Sequence, residues 1–506
     1  MTEMVFRRED VRAFRFVRCG FDAASGEARL VYAFDVQEST SAAGGRPETA
    51  SCVSGTSAVQ GGRTPGAADD GPELTETVRF PGAPFTLDDA RLAAVHRALQ
   101  LLHLIAGVSY YKAAVPREIR IDSYAIDADT AAFLTEVYEN GLGEFAYRNG
   151  LDLRGKIVFP FSPREKGRDE GATVYEPSPQ PLSQVEKGSA LGLKSHALVA
   201  IGGGKDSLVS IEALRAAGIA QTVSWIGSSP LIRACAERTG LPLLNISRQL
   251  APELFEMNKQ GAWNGHIPVT AVNSAILAVA ALLVGADQVV FSNERSASYG
   301  SFIPGTGEVN HQWSKGWQFE RDFARHLRER VAADLKYYSL LRPFSELAVA
   351  RQFARLDRYD GHFSSCNRNF HILGERPAQR WCGVCPKCHF VFLALAPFMP
   401  KPRLLNIFGR NLLDEAEQAP GFDALLEYQD HKPFECVGEG KESRAAMAAL
   451  AQSPSWREDA LVARFRREIL PQLQAGELEL APLLVASAEH GIPSPLWGAL
   501  RAHFGA

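Results

Sequence analysis

The stretch His196 to Ser207, HALVAIGGGKDS, constrains this chain more than any other. An apolar run ends in Gly202, Gly203 and Gly204, and Lys205, Asp206 and Ser207 follow at once, ahead of residues with helical spacing. This order predicts a buried strand, a tight loop and a helix start. Glycine lets the backbone approach an anion closely, and the free amides and positive dipole end of a helix N-terminus favour a phosphate there. Two other phosphate loops do not fit. A Walker A loop has Ser or Thr directly after its lysine to hold magnesium, whereas Asp206 follows Lys205. The dinucleotide fingerprint has glycine at its sixth position, where Ser207 stands. A glycine turn with no ligand is the plain alternative, and the order Lys-Asp-Ser argues against it.

The segment resembles the PP-loop of the ATP pyrophosphatase superfamily, Ser-Gly-Gly-x-Asp-Ser at the end of the first strand of a doubly wound sheet. Gly203, Gly204, Lys205, Asp206 and Ser207 match, and Gly202 stands where the first serine usually is. The resemblance implies cleavage of ATP between its α and β phosphates, usually with transfer of AMP to a substrate oxygen. Downstream, the residues themselves keep a strand and helix rhythm. Ser207 to Ala217 predicts a helix closed by Gly218, TVSWIG a strand, Pro230 to Thr239 a helix closed by Gly240, and LPLLNI a strand. Such alternation predicts a parallel α/β sheet covered on both faces, with ligands beyond the carboxyl ends of the strands. Ile226 and Gly227, closing TVSWIG, and Asn293, in the turn after DQVVFS, are therefore expected to wall the nucleotide. Between them, Thr270 to Val284 is a small, apolar core helix, preceded by His266. His266 suits contact with phosphate, proton transfer or a structural hydrogen bond.

With 506 residues the chain exceeds what one core usually serves. VRAFRFV and ARLVYAF predict a hairpin over residues 11 to 34, and Leu87 to Ala106 a helix. Tyr110, Tyr111 and Lys112 suit either a sugar or phosphate contact or the polar edge of a core. Asp129 to Gly150 suggests another helix, and GKIVFPF a strand. Residues 37 to 72 hold hardly a large apolar side chain and are expected to be a disordered insertion, with Cys52 incidental to it. Ser162 to Lys187 looks like a linker. The expected domains are thus 1–187, an N-terminal α+β domain; 188–400, the PP-loop domain; and 401–506, a region of short helices. Lys plus Arg number 54 against 58 for Asp plus Glu, which gives no electrostatic argument for nucleic acid. The start MTEMVFRRED lacks the apolar core of a secretory signal, and no apolar run reaches membrane length, so neither a membrane nor export is expected and the chain is placed in the cytoplasm.

Four of the eight cysteines lie close together, Cys366 and then Cys382-x2-Cys385-x2-Cys388. Four thiolates delivered by a close-spaced trio and one further loop suit a structural Zn2+ site with no open position. An iron-sulfur cluster and unmetallated buried thiols are the alternatives. Gly383 permits a tight knuckle. The segment VNHQWSKGWQFE combines His311, Trp313, Lys315 and Trp317; these could stack on and neutralise an anionic substrate or form a half-buried strand or helix start. Phe319 to Leu335 follows as a charged amphipathic helix. His431, Lys432, Glu435 and Cys436 share one later loop, as proton-transfer groups or as ordinary loop residues.

Together IGGGKDS, GHIPVTAVNS, SNERSASYGS, NHQWSKGWQFE, SSCNRNF with WCGVCPKC, and PFECVG resemble the family of ATP-dependent UDP-N-acetylmuramoyl-L-alanyl-L-glutamate epimerases. The likeness runs from about residue 85 to 440. The cysteine pattern alone is similar to the four-cysteine zinc site of 7-cyano-7-deazaguanine synthases. The epimerase resemblance implies a small-molecule, UDP-linked muramoyl dipeptide as substrate, ATP and Mg2+ as requirements, AMP and pyrophosphate as products, and a place in peptidoglycan precursor synthesis. Under it Gly202, Gly203 and Gly204 hold pyrophosphate, Lys205 offsets phosphate charge, Asp206 helps place magnesium and Ser207 adds a donor. Cys436, His311 and His266 are the nominees for base and acid. A nucleobase-modifying ATP pyrophosphatase, an amide-forming ligase and a non-catalytic ATP sensor stay open as alternatives.

Overall fold

The computed structural model describes residues 6–36, 73–162, 188–303, 307–370, 376–429 and 432–505. The expected insertion at 37–72 with Cys52, the linker from 163 to 187, and His431 lie outside them. The described strands are β1 Val11–Asp22, β2 Glu27–Val36, β3 Leu74–Arg79, β4 Glu118–Ile121, β5 Lys194–Ala200, β6 Gln221–Ile226, β7 Leu243–Gln249, β8 Ala286–Phe291, β9 Ser301–Ile303, β10 Gly307–Val309 and β11 Lys336–Ser339. Nine of them form one mostly parallel sheet in the order β11-β8-β5-β6-β7-β3-β2-β1-β4. From β11 to β7 every pairing is parallel, β7 to β1 run antiparallel, and β4 is parallel to β1. The β1–β2 hairpin thus stands in the same sheet as the strand before the glycine loop.

Alternation along the strands separates two cores. Leu198 and Val289 face the core that holds the helices Asp89–Ala106 and Val269–Val284; Val199 and Val290 face the other. That second core takes in the helices Lys205–Ala216, Glu346–Phe353, Pro386–Leu395, Gly440–Gln452 and Ser494–Phe504. The mixed α/β sheet is therefore covered on both faces, because near-continuous apolar strands need burial on both sides. Asp88 caps the first long helix by accepting from the Arg91 amide at 2.7 Å. Contrary to the expectation that no apolar run reaches membrane length, the segment Asp89–Tyr111 is long and apolar enough to cross a membrane, and most of it is buried inside the fold.

Three expectations change. GKIVFPF is not a strand: Ile157 and Phe159 are buried and Val158 and Phe161 exposed, so the alternation comes from one-sided packing of an extended segment without a ladder partner. The helix expected over Asp129 to Gly150 breaks at Leu142 into Ala128–Gly141 and Gly143–Arg148. The helix expected from Phe319 to Leu335 begins at Trp317, passes into a π turn at Leu327–Val331 and ends there. Tyr110 and Tyr111 are core residues, and the buried Lys112 donates to Asn264 at 2.7 Å, so this turn is the edge of a core.

Candidate active site

Because β5, β6, β8 and β11 run parallel, their carboxyl ends share one edge of the sheet. Gly202 to Gly204, Ile226 and Gly227, Asn293 and Glu294, and the turn leading to Glu346 all emerge there. The helix Lys205–Ala216 starts at Gly204 with no side chain capping it, so its first amides are left for another acceptor. A Cβ on Gly202 or Gly227 would meet nothing within 4 Å, and one on Gly204 would stand 2.6 Å from Ser365 Oγ. The loop is thus open on one side and closely backed on the other, a cradle that fits a phosphate. Ser207 Oγ donates to the Gly204 carbonyl at 3.2 Å, and Asn293 donates to Ser339 Oγ at 3.0 Å, tying β8 to β11.

Behind this loop lies a network of buried charges. Lys205 is fully buried and its Nζ donates to Asp206 and Glu346. Burial works against the ammonium, but the two carboxylates overcome it and raise its pKa. Burial raises Glu346 to about 7, opposed by Lys205 and helped by Asp206 and Glu294; burial and then Asp206 raise Glu294 too. Oxygen donors crowded in this way fit Mg2+. Asp206 keeps 23% of its side chain open. On the far side, Glu346 Oε1 lies 3.8 Å from Lys387 Nζ, and Lys387 donates to the Cys436 carbonyl.

The four clustered cysteines form the second part. Their sulfurs lie within 4.8 Å of one another, with Cys382 to Cys388 at 3.7 Å, Cys385 to Cys388 at 3.4 Å and Cys385 to Cys366 at 4.0 Å. Tetrahedral zinc with Zn–S bonds of about 2.3 Å sets sulfurs about 3.8 Å apart, so the residues fit the ion. The loop carrying Cys366 touches the glycine loop directly: the Ser364 amide donates to the Gly203 carbonyl at 2.9 Å. The trio in turn carries Lys387.

The third part gathers around Cys436. Lys315 Nζ donates to its sulfur at 3.0 Å, and His311 lies close enough to favour its thiolate. Burial pushes the thiol up, but Lys315, His311 and Lys387 outweigh it and bring it down to about 5. His311 Nδ1 donates to Glu144 Oε2. Burial disfavours this imidazolium, and its bonds to Cys436 and Glu144 overcome that, raising it to about 9. His266 lies with its ring 4.2 Å from that of His311 and is lowered to about 4 by burial and by His311. Glu144, His266 and His311 form a donor set with ligand atoms within 4.8 Å of one another, yet His311 is already engaged on both sides, by carboxylate and by thiol. This is the arrangement of a proton relay. A cleft of about 790 Å³ opens beside it, lined by Gly143, Tyr147, Arg154, Asn310 and Trp313 among others.

Two family models cover most of the chain, the MurL N-terminal domain over residues 64–340 and the MurL C-terminal domain over 362–479. The chain belongs to the MurL family. It is 65% identical to the UDP-N-acetyl-alpha-D-muramoyl-L-alanyl-L-glutamate epimerase of Xanthomonas oryzae pv. oryzae (strain MAFF 311018), over 99% of both chains. It is 42% identical to the enzyme of that name from Micromonospora sp., over 84% of this chain and 91% of the relative. For the one from Salinispora tropica the values are 39%, 90% and 88%.

In this MurL-family chain the three nominated proton-transfer residues, Cys436, His311 and His266, come from three distant segments to one place. Trp313 packs on Phe319, with ring centroids 5.8 Å apart, and also lines the cleft, while Trp317 starts a helix; within VNHQWSKGWQFE, His311 and Lys315 are the residues beside Cys436. Lys315 is fixed by Arg342, which donates to its carbonyl, to the Glu294 carbonyl at 2.7 Å and to Glu320 at 2.9 Å. Sequence reasoning missed Glu144, Glu346, Arg342 and Lys387, and reached Glu294 only as part of the turn Ser292 to Ser298 after DQVVFS. Glu346 follows β11 at the same edge of the sheet, so the strand-end rule could have found it too. Lys387 was hidden inside a metal motif, and Glu144 carries no signal in its own segment.

Proposed function

We propose that this chain inverts the terminal L-glutamate of UDP-N-acetylmuramoyl-L-alanyl-L-glutamate to D-glutamate, with ATP cleaved to AMP and pyrophosphate, in peptidoglycan precursor synthesis. The observation that carries the chemistry is the ion-pair chain Lys205–Glu346–Lys387, whose last member donates to the Cys436 carbonyl and so ties the Cys436 loop to the open glycine cradle. The substrate is argued from the 65% identical relative. On this reading the edge of the sheet is a doubly wound PP-loop site in the cytoplasm, where ATP is at hand.

The α-hydrogen beside a carboxylate is hard to remove because the carbanion adds charge to charge. Transfer of AMP to that carboxylate, with pyrophosphate leaving, makes an acyl-adenylate in which the carboxyl group itself is no longer charged, so its carbonyl can accept the electron pair. Gly202, Gly203 and Gly204 hold the phosphates with the first amides of the helix, and Ile226, Gly227 and Asn293 border the nucleotide. Lys205 holds Asp206 and Glu346 in place for Mg2+, which when bound offsets phosphate charge. Cys436, a thiolate at neutral pH, takes the α-proton, and the His311 imidazolium returns one, with His266 beside it. Water then releases the product and AMP. Cys366, Cys382, Cys385 and Cys388 would hold Zn2+, which when bound would brace the loops that carry Ser364 and Lys387.

The test is a product assay with purified protein, ATP, Mg2+ and the L,L-dipeptide substrate, resolving AMP from ADP and determining the glutamate configuration. AMP together with D-glutamate is expected. AMP without inversion points to a ligase or a base-modifying enzyme, and ATP binding without cleavage to a sensor.

A further inference from the structure

The proton-transfer nominees all lie C-terminal to the glycine loop, yet the group that completes their geometry comes from the N-terminal half. Glu144 is the second residue of the short helix Gly143–Arg148, and its side chain is only 6% exposed. Both of its oxygens are taken: Oε1 accepts from Arg148 Nε and Oε2 from His311 Nδ1. The carboxylate is therefore locked in one orientation, and it dictates which proton His311 keeps. With Nδ1 held by the carboxylate the ring is fixed in orientation, and the neighbour besides Glu144 that favours its imidazolium is Cys436, whose sulfur accepts from Lys315 at 3.0 Å. The separation of carboxylate and thiol is fixed by packing. Phe434, two residues before Cys436, lies against Tyr147 with centroids 5.6 Å apart and under the Arg148 guanidinium at 5.4 Å. On the other flank, a Cβ on Gly141 would stand 2.6 Å from the Pro268 ring, so the helix before Glu144 and the loop holding His266 meet with no room between them.

We propose that Glu144 is the positioning residue of a Glu144–His311–Cys436 relay, orienting His311 so that the thiol is held as its thiolate. This deepens the epimerase reading and rests on it. In the step the relay serves, the α-proton passes to the sulfur and its electron pair stays on the activated carboxyl. A proton then returns to the α-carbon from His311, so no oxidant or reductant is needed. His266 cannot replace Glu144: it is neutral at pH 7, and its Nδ1 lies 3.9 Å from the same carboxylate oxygen. The charged groups facing Cys436 are Lys315, His311 and Lys387 on the cationic side and Glu435 on the acidic side.

The experiment follows alkylation of Cys436 by iodoacetamide against pH, resolved by peptide mass spectrometry on the full-length protein without substrate. Wild type is expected to show half-maximal reactivity near pH 5. Glu144→Gln removes the charge that holds the imidazolium and should move that midpoint up by about one pH unit or more, with kcat for inversion down about 100-fold. Glu144→Asp should recover part of both. An unchanged midpoint in Glu144→Gln overturns the proposal, as does a midpoint shift that Glu144→Asp leaves uncorrected. If wild type forms no D-glutamate, the epimerase reading fails, while the alkylation midpoint still decides the role of Glu144.

Discussion

In the proposed reaction the Cys436 sulfur is the base, and its neighbours set its strength. The productive form is thiolate with imidazolium. The thiolate requires a pH above about 5, and the His311 imidazolium a pH below about 9. The rate profile of kcat/KM should therefore rise through pH 5, stay flat, and fall through pH 9. An ordinary cysteine and histidine, with the thiol near 8.5 and the histidine near 6.5, would give a narrower bell with limbs near 6.5 and 8.5 and only about 1% of the enzyme in the productive form at its peak. Cys436→Ser puts a hydroxyl that stays protonated at neutral pH in the same place. Inversion, followed as D-glutamate formed, should fall by about 100-fold to 10,000-fold. Cys436, His311 and His266 were legible as separate residues because thiols and imidazoles carry recognisable chemistry. Their partner Glu144 was not, since a glutamate two residues into a helix near Arg148 reads as a solvated pair on that helix. Only the fold turns its Oε2 toward a histidine more than 160 residues further along.

The glycine loop and the cysteine knuckle were both legible as elements, because each needs its residue types at fixed spacing. What spacing could not convey is that they touch. The Ser364 amide, two residues before Cys366, supports the Gly203 carbonyl, and Lys387, between Cys385 and Cys388, reaches both Glu346 and the Cys436 loop. Loss of the metal should then disable nucleotide chemistry without touching a nucleotide-binding residue. Cys385→Ser, assayed by elemental analysis and by AMP formation, is expected to drop zinc from about one per chain to near zero and to take AMP formation down with it. Retained AMP formation in the zinc-free variant would separate the two elements. The segment GKIVFPF shows the opposite limit. Its alternation is real, but a strand needs a neighbour to pair with, and pairing depends on residues far away in the chain.

At the scale of the whole molecule, the two halves that composition and linkers separate are joined in one sheet, and the joint is the antiparallel pairing of β3 with β7. Glu76 on β3 and Arg248 on β7 form a buried bidentate pair there, at 2.6 and 3.1 Å, with Arg248 also donating to Ser109 at 3.1 Å. Local patterns could not reveal this seam, since each strand alone reads as an ordinary edge. It matters to the site because Glu144 belongs to one half and the glycine loop to the other. Replacing one member of such a pair strands the other charge in the core, which costs about 3–5 kcal/mol, whereas replacing both with apolar residues of similar volume is often neutral or better. Glu76→Gln should therefore lower the urea midpoint strongly, and Glu76→Leu with Arg248→Met should recover most of the loss. Since the sheet is continuous, tryptophan fluorescence and far-UV dichroism should fall together in one transition for wild type. Two separated transitions would mean that the halves fold independently and that the seam is only a contact. If instead they unfold as one, inversion activity should follow the same midpoint, because the proposed relay draws Glu144 from one half and Cys436 from the other.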